Sequence, residues 1–145
     1  MGTDRPRIPA TATPPSLPAM RIAAALAAFT GLGFGIPCAF GIWHFARTGE
    51  VWTFLGFPTY GKGPLEKAGI STSVPLLGTF LVVCAAEVVT AGLLWRRSRA
   101  GTRMSLGLLP AALIFWAGFG LPFGPPLALA RTVTIFYATH QERPD

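Results

Sequence analysis

The chain has 145 residues, 51% of them hydrophobic and 12% charged, with a mean hydropathy of +0.50; a soluble domain carries about 25% charged residues. Residues 22–46, 68–86, 88–95 and 104–130 hold no Asp, Glu, Lys or Arg, and 27 uncharged positions in a row exclude an ordinary water-soluble fold. A net charge of +6 and a pI near 10.4 do not argue for nucleic acid, because the basic residues flank apolar spans and no basic run interleaves with stacking aromatics.

Residues 1–20 contain five prolines (Pro6, Pro9, Pro14, Pro15, Pro18), a composition that buries no core and predicts a disordered tail. Met20 offers an alternative translation start. The apolar stretch that follows is too long for a cleaved signal peptide and lacks a clear cleavage site. The first span is expected over 22–46. Within it Gly31 and Gly35 form a GxxxG pair, which permits close helix–helix approach. Pro37 should kink the helix and leave a backbone carbonyl for neighbours to satisfy.

Thr48 to Gly69 is the long connection, with Trp52, Phe54, Phe57 and Tyr60 among glycines and prolines. Aromatic rings suit the headgroup level, and 50–57 reads as a short interfacial helix or a re-entrant cap. The segment GFPTYGKG at 56–63 falls one residue short of a phosphate-binding loop. Pro58 interrupts it and no strand leads in, so it is not read as one.

The second span, over 72–95, carries a single charge, Glu87. Four arginines crowd the link 96–103 (Arg96, Arg97, Arg99, Arg103). A third span is expected over 104–121. The segment GFGLPFGPP at 118–126 turns the chain, and a short fourth span over 125–139 contains Arg131. Treating 104–130 as one long helix would leave three spans, but its glycines and prolines oppose that. Cys38 and Cys84 fall inside spans at similar depths if those helices are antiparallel, and read as small packing residues.

Lys and Arg number eight on the side of the termini and the 96–103 link, against three (Arg47, Lys62, Lys67) on the other side. That bias predicts cytoplasmic termini and an outward-facing aromatic loop in a multi-pass protein of the cell membrane. Glu87 and Arg131 then lie at one depth, roughly 12 Å above the cytoplasmic interface at 1.5 Å per residue. An ion pair is the natural escape from two uncompensated charges in lipid. It serves either as a structural brace or as the wall of a polar pocket for a quinone, lipid headgroup or proton, extended by Thr90 and by Thr132 or Thr134. His44 and Arg47, at the outer end of the first span, are placed at the mouth of such a pocket. His140 carries no signal.

The layout resembles the DoxX-like family of small four-helix membrane proteins. His44 and Arg47 close the first span, an aromatic loop follows, and Leu65 to Leu77 (LEKAGISTSVPLL) resembles that family's entry into its second helix. Glu87 with Gly92-Leu93-Leu94 and the basic link complete the likeness. The resemblance implies a four-helix bundle associated with redox or thiol-handling membrane complexes.

The expected fold is therefore all-α, a four-helix transmembrane bundle behind a disordered N-terminal tail. The expected function is a ligand-binding or scaffolding bundle in a membrane complex, without catalysis. Alternatives are an enzyme or subunit acting on a lipid-soluble substrate through Glu87, and a transporter subunit assembled through the Gly31/Gly35 face. Expected partners are membrane lipids, with a membrane protein or a second copy of the chain, and not nucleic acid. No nucleophile–base pair, cofactor fingerprint or metal-ligand cluster is present, so no cofactor or metal is expected.

Overall fold

A computed structural model describes residues 17–141, with the backbone alone at Leu17. It contains α1 (Leu17–Thr48), β1 (Thr53–Phe54), β2 (Phe57–Pro58), α2 (Pro64–Lys67), α3 (Val74–Trp95), α4 (Arg99–Gly118) and α5 (Gly124–His140). The protein is all-α, apart from one small hairpin. Its four long helices form a closed ring: α1 packs on α3, α3 on α4, α4 on α5, and α5 back on α1. This leaves α3 and α5 diagonally opposed across the bundle.

Helix ends follow local chemistry. Ser73 caps α3, its hydroxyl accepting the Leu76 N–H, with Pro75 in the first turn, where a missing N–H costs nothing. Two helices end alike, with the chain folding back onto the last carbonyls. After α4, Gly120 at φ +70° lets its N–H reach Ala117 and the Leu121 N–H reach Trp116. After α3, the same pair of bonds runs from Arg97 to Leu94 and from Ser98 to Leu93. There an arginine at φ +57° occupies the left-handed position that glycine takes more cheaply.

Several boundaries differ from expectation. The tail predicted over 1–20 lies outside the described residues up to 16, but 17–20 belong to α1. Pro18 is tolerated there because first-turn amides have no helical acceptor, and Ala19 and Met20 are buried in the core. The 96–103 link shrinks to three residues. Ser98 accepts the Ala100 N–H and starts α4 at Arg99, so Arg99 and Arg103 stand on the helix. The segment 50–57 is not a helix. Thr53 pairs with Pro58 and Phe54 with Phe57 around Leu55-Gly56, both at positive φ, as a tight hairpin turn requires.

Gly31 and Gly35 are both buried against α3. A Cβ on Gly31 would come within 2.8 Å of the Cys84 carbonyl oxygen, and one on Gly35 within 3.1 Å of Cys84 Cβ. The face expected to join copies of the chain is thus used inside it. Helix α1 runs on through Pro37. Two apolar clusters fill the bundle, one around Ala23, Ala27, Leu94 and Ile135, the other around Phe80, Cys84, Trp116 and Phe119. In sequence order along α3 and α5, Glu87 and Arg131 fall between them.

Candidate functional site: a diagonal ion pair and an aromatic chamber

The structure brings Glu87 and Arg131 together at the bundle centre. One guanidinium nitrogen, Nη2, donates to Glu87 Oε1 at 3.1 Å, and Nη1 donates to Oε2. The two side chains are 2% and 1% exposed. Because α3 and α5 do not share a packing seam, two long side chains must meet across the axis. The fork geometry suits a planar carboxylate. One polar atom is left over: Arg131 Nε is buried without a hydrogen-bond partner.

The polar pocket expected beside this pair is not built from the expected hydroxyls. Thr90, fully buried, donates to its own helix at the Ala86 carbonyl (2.8 Å), and Thr132 and Thr134 donate to Ala128 and Ala130. A threonine in a helix finds that acceptor one turn back without moving. His44 is half-buried and Arg47 lies over the Trp43 ring at 4.5 Å. Neither His44, Arg47, Glu87, Arg131 nor Thr90 lines the large cavity of the molecule.

That cavity, about 700 Å³, opens at the end of the bundle away from residues 96–103. Its walls come from three separate stretches: Phe34 and Pro37 of α1, the hairpin with Trp52 and Phe57, and the α4–α5 turn with Leu121 and Phe123. Tyr60 and Phe119 form its floor, in T-shaped contact at 5.6 Å, and Phe80 packs against both with its ring tilted. The lining is almost wholly apolar. Its rim is unusually exposed for such residues, with Leu55 at 82%, Phe57 at 77% and Phe123 at 71%.

Tyr60 holds the chamber together. It is 2% exposed, sits at φ +60°, and donates its hydroxyl to the Phe34 carbonyl at 2.8 Å. Pro37 cannot donate to the Gly33 carbonyl one turn back, and Phe34 is the next carbonyl along. Burial raises the Tyr60 pKa far above the ordinary phenol value, so the hydroxyl stays a donor at any working pH. The Thr72 hydroxyl lies 3.1 Å from the Tyr60 carbonyl and 3.0 Å from Glu66 Oε1, while Glu66 Oε2 accepts the Lys62 N–H. The sequence placed Tyr60 among the loop aromatics at the headgroup level and gave no sign that it, Glu66 and Thr72 would form a buried network. Tyr60→Phe is expected to lower stability by about 1 kcal/mol, the net value of one buried hydrogen bond, measured by thermal unfolding in detergent.

Three helices, Pro18–Thr48, Val74–Trp95 and Arg99–Gly118, are long and apolar enough to cross a bilayer. With the helices packed around a shared core, that is the build of a multi-pass membrane protein. Among the described residues no group of three His, Cys, Asp or Glu could hold a metal ion. The chain matches no family model, no curated protein and no solved structure. The likeness to DoxX-like proteins therefore has only the residues quoted above behind it.

Proposed function

We propose that the protein is a ligand-binding bundle of the cell membrane that holds an apolar, membrane-resident molecule in its aromatic chamber and performs no catalysis. The chamber carries this reading. At about 700 Å³ it falls within the ~300–1,000 Å³ of small-molecule sites, which are mostly apolar with few polar groups. The exposed rim of Leu55, Phe57 and Phe123 suits contact with lipid, from which such a ligand would enter. Leu55 takes up a left-handed conformation at φ +50°, where Asn or Gly is cheaper, and an apolar tip there is useful only against an apolar medium.

In this reading α5 is a fourth span, its 17 residues sitting at the short end of the roughly 17–25 that suffice. The arginine-rich end and both termini face the cytoplasm, as the excess of basic residues there supports. Glu87, held by Arg131 and away from the chamber, braces the bundle and does not act on the ligand. A protein partner or a second copy would dock through a face other than Gly31/Gly35.

Purification in mild detergent followed by mass spectrometry of the lipid extract tests the proposal. An apolar molecule should copurify near one per chain. Thr59→Trp, which places an indole in the chamber lining, should displace it while circular dichroism shows the helices intact. An empty wild-type protein, or equal retention by the variant, would overturn the reading.

A further inference from the structure

Among the described residues, no Asp, Glu, Lys, Arg or His lines the aromatic chamber. A carboxylate, phosphate or ammonium drawn into it would lose its hydration and meet no opposite charge, which selects against ionised ligands. Two polar side-chain groups of the lining, the Thr59 hydroxyl and the Trp52 indole N–H, form no hydrogen bond within the described residues. The Tyr60 O–H is already used by the Phe34 carbonyl. Thr59 and Trp52 are partners across the hairpin: its register pairs Thr53 with Pro58, and one step further the Thr59 N–H donates to the Trp52 carbonyl at 2.9 Å. Residues opposite each other in an antiparallel pair present their side chains on one face, so a single uncharged oxygen can meet both groups.

The walls favour a ring over a chain. Seven of the fourteen lining residues are aromatic, and their rings are held from behind. Phe119 lies stacked on Phe115 at 5.9 Å, and Tyr60 and Phe119 pack against Phe80 at 5.6 and 5.3 Å. In the hairpin wall, Trp52 contacts Phe40 at 4.8 Å and Phe54 at 5.8 Å. Rings fixed in this way do not remodel around a flexible chain. A rigid planar ligand needs no remodelling and gives up little conformational entropy. Face and edge contacts with the rings add to its buried area, where an alkyl chain gains burial alone.

We infer that the ligand is a neutral, ring-headed lipid. Its ring lies in the chamber, an oxygen on the ring meets Thr59 and Trp52, and its hydrocarbon tail leaves past Leu55, Phe57 and Phe123 into the bilayer. The inference rests on the chamber reading and narrows it to one chemical class.

The test uses the full chain, stripped of copurified lipid in mild detergent at about pH 8, with bound probe counted by native mass spectrometry. Three probes are offered in turn: α-tocopherol, a neutral hydroxylated ring with a hydrocarbon tail; octadecanol, a hydroxyl without a ring; and stearate, a chain of the same length ending in a charge. Tocopherol should bind at least about tenfold more tightly than octadecanol, the worth of two or three aromatic contacts, and stearate should bind weakest. Thr59→Val/Trp52→Phe keeps bulk and ring but removes both polar groups. It should weaken tocopherol binding about fivefold, with the helices intact by circular dichroism. Binding of none of the three would sink the chamber reading along with the inference. Octadecanol binding as tightly as tocopherol, or stearate as tightly as octadecanol, would leave the chamber reading standing and overturn the class. Unchanged tocopherol affinity in the double variant would overturn it as well. Should that variant fail to fold, the wild-type ranking of the three probes decides.

Discussion

Glu87→Gln and Arg131→Gln should each lower the unfolding free energy by about 3–5 kcal/mol, the cost of leaving one buried charge without its partner. Replacing both at once, as Glu87→Leu/Arg131→Met, should recover most of that loss, because no uncompensated charge remains and the volumes are similar. The argument rests on geometry. The pair is at most 2% exposed, and it bridges two helices whose backbones do not lie side by side. Neither member alone can turn to water. Arg131 already leaves Nε without a partner, so the guanidinium has no spare acceptor to fall back on. A double-mutant cycle by unfolding in mixed detergent micelles would give the coupling directly. Single variants that melt with the wild type would show that the pair is not a brace. A single Glu87→Gln that folds normally but loses turnover of a lipid-soluble substrate would instead favour an enzyme.

A smaller loss is expected at Gly31. Gly31→Val puts a branched side chain where a Cβ alone would meet Cys84 O and Val88 Cγ2 at 2.8 Å and the Val88 amide at 3.0 Å. Two of those three atoms are backbone and cannot rotate away, so α1 must separate from α3. Overpacking of this kind costs about 1–3 kcal/mol, and here it acts on the seam between the two longest helices. Gly33 supplies the control. It lies two residues away, with nothing within 4 Å of an added Cβ. Gly33→Ala should therefore be neutral or raise stability by up to about 1 kcal/mol through helix propensity. Melting temperatures of the two variants should move in opposite directions; a matching fall in both would mean that the helix backbone, and not the seam, sets the effect.

Composition and charge spacing were sufficient for the helices and for the pairing of Glu87 with Arg131. Apolar runs of bilayer length leave few other folds open, and two lone charges at one depth leave few other partners. The GxxxG pair likewise announced a close approach, though not which helix would make it. A second copy of the chain and α3 offer the same small-residue groove, and only connectivity separates them.

The threonine hydroxyls turn away from the ion pair for a local reason. Each threonine had a carbonyl one turn back in its own helix, an acceptor present whatever the neighbours do. The hairpin at 53–58 was hidden because Leu55-Gly56 lacks the usual Asn or Asp, and its aromatics read equally well as an interfacial helix. The start of α4 depended on one serine hydroxyl.

The one-dimensional pattern thus settled which segments avoid water and which charges cannot be left alone, because those follow from solvation residue by residue. The aromatic chamber is different in kind. Phe34, Phe57 and Phe123 stand far apart along the chain. They share a wall only because the helices close into a ring and bring those ends together, and enclosure of that sort has no trace in composition or spacing.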